Sequence, residues 1–382
     1  MQSKSRIHAD EEEFKDQFNR IPDSLVLLIL NRLADVRDLC RCASVSKRFN
    51  LLVPLVDDVF VRIDQIVAAD GDSSDESSNY SSTKCRNIFS QFFKLVLFNV
   101  LKPFNHLRSG NRANNSLRGN TGGGGGNRSL LLFPQLGHHS PAHVLRNFTH
   151  IRNLQIELPS GDVGTEEGVL LKWRAEFGST LQNCVILGGT QIEKKLPNPE
   201  SPAPTGTSTE AEDSSSIPES FYTNGGLKLR VVWTISSLIA ASTRHYLLRP
   251  IIKDHPTLCS LVLTDADDQG TLTMGKEQLR EFREKPLKAS ASSSRTQVPA
   301  SNMKLRYAPQ LELPNGVAMQ GATMVAIRPS FSGEVDSDSS GNSGGKEEAD
   351  AFISTSFNNS PFEYAINTLV KQRTYLLEMN GF

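Results

Sequence analysis

Asp265-Ala266-Asp267-Asp268-Gln269-Gly270 sets carboxylates and a glycine at the spacing with which a helix–loop–helix calcium site opens. Leu272 and Thr273 suit the positions that follow, but Lys276 stands where the closing bidentate glutamate belongs, and Glu277 comes one residue late. Ser260-Leu261-Val262-Leu263 in front reads as a strand rather than an entering helix. The segment is therefore expected to be an acidic turn between a strand and a helix. The glycine run at 122–126 lacks the Gly-Lys-Ser/Thr that cradles phosphate, and reads as a flexible linker. Arg108, Arg112, Arg118 and Arg128 around it could meet RNA phosphates non-specifically, although a solvated linker is the commoner use of this composition. His138, His139 and His143 have no cysteine or acid at metal-ligand spacing. Nucleophile elbows, a Cys-Gly-x-Cys-Trp segment, paired carboxylates on a helix and the Cys/His pairs of a zinc-stapled domain are all missing. The expectation is a non-catalytic chain with no metal and no cofactor.

What remains is the chemistry of docking, and it concentrates in residues 18–53, FNRIPDSLVLLILNRLADVRDLCRCASVSKRFNLLV. Pro22 stands where a first helix begins, and a proline is tolerated there because its absent N–H would have been unpaired anyway. Asp23 favours the first turn through the helix dipole. Leu25, Leu28, Ile29 and Leu33 follow at i, i+3, i+4 and i+8, one helical stripe, which Val26, Leu27 and Leu30 widen. Asp35 and Asp38 read as the cap and acidic third position of a second helix, with Leu39, Cys42 and Val45 on its apolar side. Val45, Phe49 and Leu52 are spaced for a third helix that Pro54 ends. So short a segment buries little apolar surface alone, so much of it is expected to wait for a partner.

These residues resemble an F-box, the module that joins a substrate receptor to a Skp-family adaptor and thence to a cullin ubiquitin ligase. Ile21-Pro22-Asp23-Ser24-Leu25, Ile29-Leu30, Asp38-Leu39 and Val45-Ser46-Lys47-Arg48-Phe49 carry the resemblance. Ser24 replaces the usual acid, and Phe49 the usual tryptophan, keeping the bulk but losing the indole. The resemblance implies adaptor contacts from Ile21, Pro22, Leu25, Leu28, Ile29, Leu33, Leu39, Val45 and Phe49. Residues 227–270 and the closing TYLLEMNGF at 374–382 are similar to the plant group of auxin up-regulated F-box proteins. By resemblance the chain recruits a protein for ubiquitination. Two alternatives stay open: an F-box scaffold that acts without ubiquitination, and an RNA-associated protein using the Arg/Gly tract.

With 382 residues the chain can hold such a module and one larger domain, and a formal charge of −1 gives no case for nucleic acid or an anionic membrane. Five cysteines without paired spacing suggest reduced thiols, and the polar N-terminus lacks the apolar region of a signal peptide. No apolar run is long enough to span a bilayer. An intracellular place, nucleus and/or cytoplasm, is expected.

The fold class expected is α/β (α+β): a polar, disordered 1–13, the F-box at 14–54, and an irregular leucine-rich-repeat-like substrate-binding domain over 55–382. Polar, low-complexity inserts at 70–83, 108–129, 195–220, 288–302 and 332–350 read as flexible. Ser73-Ser74-Asp75-Glu76 and Asp336-Ser337-Asp338-Ser339 within them suit acid-directed kinases, where each phosphate would add about −2 charge. The repeat reading comes from apolar triplets spaced h-x-x-h-x-h: Val56-Val59-Val61, Phe92-Leu95-Leu97, Ile151-Leu154-Ile156, Leu181-Cys184-Ile186 and Leu258-Leu261-Leu263. Segments 166–177 and about 235–253 precede two of them with helical periodicity, suggesting parallel strands with helices outside. A hairpin turning at Asn315-Gly316 and a closing helix over 361–379 complete the expected domain.

Overall fold

The computed structural model describes residues 17–63, 144–160, 163, 165, 168–194, 218–285, 295–314, 316–330, 351–358 and 360–382. Three short helices open the described chain: α1 (Asp23–Leu33), α2 (Val36–Val45) and α3 (Lys47–Leu52). They pack directly onto the first strand, β1 (Asp58–Arg62), so that Val26, Leu30, Leu39 and Leu52 share one core with Val59 and Val61.

Strands β2 (Asn153–Leu158) and β6 (Ser260–Asp265) continue the sheet in parallel. Val59, Leu154 and Leu261 stand side by side, as do Val61, Ile156 and Leu263. The triplet spacing now has a physical cause. Val56, Ile151 and Leu258 are buried in the turn that enters each strand, and the two later residues alternate inward along it. The regular helix–strand repeat does not extend beyond these three strands. The helix expected over 166–177 is replaced over its described part by a strand, β3 (Leu170–Phe177); 166 and 167 lie outside the described residues. The helical spacing of Val169, Leu170, Trp173 and Phe177 competes with the alternation of Leu171, Trp173, Ala175 and Phe177, all four of which are buried on one face. The strand β4 (Leu181–Gly189) carries another triplet but lies antiparallel to β3, with Cys184 through Leu187 buried on both faces.

The hairpin of β8 (Ser301–Leu313) and β9 (Val317–Pro329) turns through three residues rather than two, with Gly316 at φ 68° closing it. With β5 (Gln191–Lys194) and β7 (Gly270–Met274) the sheet reaches ten strands, in the order β1-β2-β6-β7-β3-β4-β9-β8-β10, with β5 also on β9. The acidic 265–270 segment is the β6–β7 turn, between two strands instead of strand and helix. The expected closing helix over 361–379 is instead α7 (Glu363–Leu369) followed by strand β10 (Thr374–Met379). Phe362, Ile366, Leu369 and Val370 keep the helical period, which breaks at Lys371-Gln372-Arg373.

One face of the sheet is covered by the long helix α4 (Gly226–Leu247) with α5 (Arg249–Asp254) and α6 (Lys276–Glu284), in the same core as the F-box-like helices. On the opposite face α7 and Ile353 and Phe357 cover Val185, Leu187, Met319 and Met324. Part of the expected insert at 288–302 is ordered: Thr296, Val298 and Ser301 are buried, and β8 begins at Ser301. Pro218 to Ser220, at the edge of the expected insert at 195–220, also belong to the described chain, entering a short turn with buried Phe221. The triplet at 92–97, the glycine and arginine tract, His138, His139 and His143 and both serine–acid runs lie outside the described residues.

Candidate adaptor-docking site

α1 has two apolar stripes, and they face opposite ways. Val26 and Leu30 turn inward to the core beneath. Leu25, Leu28, Ile29 and Leu33 turn outward, with Leu28 56% exposed. A polar outer face would be the ordinary arrangement for a helix packed on a domain, so among the described residues this outer stripe does not serve the core.

The helix is braced at both ends. Arg48, on α3, donates from Nε to Asp23 Oδ1 at 2.8 Å and from Nη1 to Phe18 O at 2.6 Å, and its Nη2 reaches Ile21 O and Asp23. Phe18 meets the Phe49 ring edge-on, centroids 5.5 Å apart. At the far end Asn31 Oδ1 accepts from the backbone N–H of Asp57 at 2.8 Å, tying α1 to the start of β1. Asp35 caps α2 by accepting from Arg37 N–H at 2.8 Å, and Ser46 caps α3 by accepting from Phe49 N–H at 3.2 Å. Asp35 therefore caps as its sequence position suggested, while Val45 ends α2 instead of starting α3.

The arrangement brings Ile21, Pro22, Leu25, Leu28, Ile29, Leu33 and Phe49 to the surface wholly or in part, and Val45 is 73% exposed on α2. Leu39 is the correction: it is 0% exposed, packed in the core among the three helices and β1, and cannot touch an adaptor. Its asparto-leucine position reads as a contact in sequence only because core and contact residues are equally apolar. Exposed Phe18, Leu51 and Leu55 were missed. For Leu51 a signal existed: in the pair Leu51-Leu52 of a short helix only one can face in, and it is Leu52. Arg48 was read as part of the motif, and its bracing role required the fold to be seen.

The other candidates dissolve into structure. Asp265 lies buried, its Oδ2 taking Arg244 Nη2 at 2.7 Å and Gly270 N–H at 2.8 Å, its Oδ1 taking Gln269 N–H at 2.7 Å. Three of its roughly four acceptor directions are taken by the turn and by Arg244, so this carboxylate braces the turn. Asp268 is held at the surface by Arg174 at 2.8 Å. Among the described residues no cluster of His, Cys, Asp and Glu could hold a metal, and no helix is long and apolar enough to cross a membrane. Burial pushes the Cys184 thiol up to about 12, as expected of a core cysteine without redox use.

Residues 18–61 match the F-box-like family, a stretch that spans α1 to α3 and most of β1. Over 99% of its length the chain is 50% identical to the F-box proteins At4g18380 and At5g46170 of Arabidopsis thaliana, covering 97% of each. The chain is a plant F-box protein. It is also 35% identical to F-box protein AUF1 of the same plant, over 96% of this chain and all of that one, in agreement with the auxin up-regulated group that its C-terminal segments resemble. No solved structure matches. F-box proteins as a family are non-catalytic substrate-recognition subunits of Skp–cullin–F-box ubiquitin ligases.

Proposed function

We propose that this F-box protein binds a Skp-family adaptor through the outward stripe of α1 and, by way of the adaptor's cullin, brings a protein held by its sheet domain to ubiquitination. The observation that carries the proposal is the double-sided α1. Its inner stripe and the Arg48 brace fix the helix, while Leu25, Leu28, Ile29 and Leu33 stand outward, exposed among the described residues. Ile21, Pro22, Val45 and Phe49 extend the contact. The mechanism is proximity: tethering raises the effective concentration of the target's lysines near a charged conjugating enzyme, and the receptor supplies no nucleophile. Adaptor and cullin place the protein inside the cell.

The test is co-purification of the tagged protein from plant cells, followed by the half-life of the proteins that come with it. Adaptor and cullin are expected with the wild type and lost with Leu28→Lys plus Ile29→Lys, and the third protein's half-life is expected to lengthen in cells carrying that variant. Adaptor binding with an unchanged half-life would leave a scaffold that acts without ubiquitination.

A further inference from the structure

β10 is the last strand of the sheet: β8 pairs one of its edges, and no described strand pairs the other. Its ladder with β8 runs past the strand proper. Phe382 N–H donates to Val298 O and Val298 N–H to Phe382 O, both at 2.9 Å, in the register that sets Thr374 opposite Arg306 and Met379 opposite Ser301. In an antiparallel ladder, residues bonded to the neighbour alternate with residues whose N–H and C=O point away from it. Counting back in twos from Phe382, residues 380, 378, 376 and 374 bond to β8. Tyr375, Leu377 and Met379 therefore direct their backbone groups outward, and no described residue takes them up.

Sheets ordinarily blunt such an edge with lysine, proline, a bulge or a covering segment. Thr374–Met379, TYLLEM, contains neither lysine nor proline. The opposite edge of the sheet is protected, because Phe60 N–H of β1 donates to Ala34 O at 2.8 Å beneath the F-box. On the open edge Leu376 is 77% exposed, more than any other large apolar side chain among the described residues.

We propose that β10 pairs antiparallel with β10 of a second copy, joining two sheets across a two-fold axis. Such an axis stands normal to the sheet, so residues on one face pair with residues on the same face and the axis passes midway between one residue and its own copy. Centred on Leu377, the pairing sets Leu376 against the partner's Glu378; centred on Tyr375, it sets Arg373 against the partner's Leu377. Centred on Leu376, it sets Leu376 against the partner's Leu376, Tyr375 against the partner's Leu377 and Thr374 against the partner's Glu378. Only this register keeps apolar against apolar while the outward backbone groups of Tyr375 and Leu377 bond each other across the seam. Charge agrees with it. Arg306 Nε donates to Thr374 Oγ1 at 3.0 Å, so the partner's Glu378 comes within two strand spacings, about 10 Å, of that guanidinium at either end of the seam. The self-complementarity is what selects a second copy over an unrelated extended peptide, and it owes nothing to the adaptor reading.

Sedimentation of the full chain over a concentration series tests this. A reversible dimer is expected. Leu377→Pro removes an outward N–H that an edge strand does not need for its own sheet, and Leu376→Lys brings two ammonium groups together on the axis. Both are expected to give monomers with the wild-type melting profile. Leu28→Lys, on the F-box, is expected to stay dimeric, which separates this seam from association through α1. Leu376→Cys is expected to cross-link to its own copy with diamide as oxidant, since residues in a non-bonded pair lie about 4.5 Å apart at Cα, whereas Leu377→Cys is not. A monomer at every concentration, a dimer indifferent to both Leu376→Lys and Leu377→Pro, a dimer lost with Leu28→Lys, or cross-linking at 377 in place of 376 would each overturn the proposal.

Discussion

Helices α1 and α4 invert one another. α1 turns Leu25, Leu28, Ile29 and Leu33 to the outside, while α4 buries Arg230, Arg244 and His245 against the sheet. Each buried arginine of α4, and its buried histidine, has partners that account for it. Arg244 pairs with Asp265, donates to Gly270 O at 2.8 Å and lies over the Trp173 ring. Arg230 donates to Thr323 Oγ1 at 2.9 Å between the rings of Phe221 and Tyr307. His245 stacks on Phe177 and bonds at both nitrogens. Polar groups satisfied inside are structure, and apolar groups left outside are surface made for something else. On the proposed function, stability and recruitment sit on different helices, and variants can separate them.

The largest expected effect is on the α4 side. Arg244→Met leaves the Asp265 carboxylate buried without its counter-ion and should cost about 3–5 kcal/mol of folding stability in denaturant unfolding. If the loss is under about 1 kcal/mol, the buried pair is not what ties α4 to the β6–β7 turn.

A pH scan follows. Nε2 of His245 carries a hydrogen, since Gly178 O at 2.9 Å can only accept; burial favours the neutral ring, and in that form Nδ1 accepts from Thr296 Oγ1 at 2.8 Å. Burial lowers its pKa from 6.5 to about 4. The unfolded chain therefore binds the proton first as pH falls. The histidine's contribution is intact above pH 6.5 and is lost as pH drops from there to about 4, a change of about 3 kcal/mol. Thermal melts of His245→Gln should show a shallower decline across that window than the wild type; equal slopes would contradict the assignment.

Smaller effects belong to the F-box. Arg48→Ala removes charge-assisted bonds to Asp23 and to the carbonyls of Phe18 and Ile21, and should cost about 1–2 kcal/mol in stability. Adaptor affinity should fall with it, because the entry to α1 loosens. Phe49→Trp is expected to shift adaptor affinity by about tenfold at most, upward, measured by calorimetry. A fall would mean that the edge-on contact with Phe18 matters more than the added ring surface.

How far these features could be read in advance depended on how local they are. The docking helices were legible because caps, proline and apolar spacing act within a few residues, as Asp35 and Ser46 show. Strands β1, β2 and β6 were legible for the same reason. Residues 166–177 were not, because their apolar residues fit two periods and only pairing with β4 and β7 decides between them. The face of each apolar residue is equally hidden in sequence, so Leu39, a core residue, is indistinguishable there from a contact. Arg244 and Asp265 stand 21 residues apart, and nothing in either marks the other.

Adaptor affinity and melting temperature measured together on the full chain, wild type beside Leu28→Lys, test the central claim most directly. The account predicts a loss of at least about 2 kcal/mol in adaptor binding, roughly thirtyfold, with folding stability unchanged within about 0.5 kcal/mol. Undiminished adaptor binding, or a chain that unfolds when Leu28 is replaced, would contradict it.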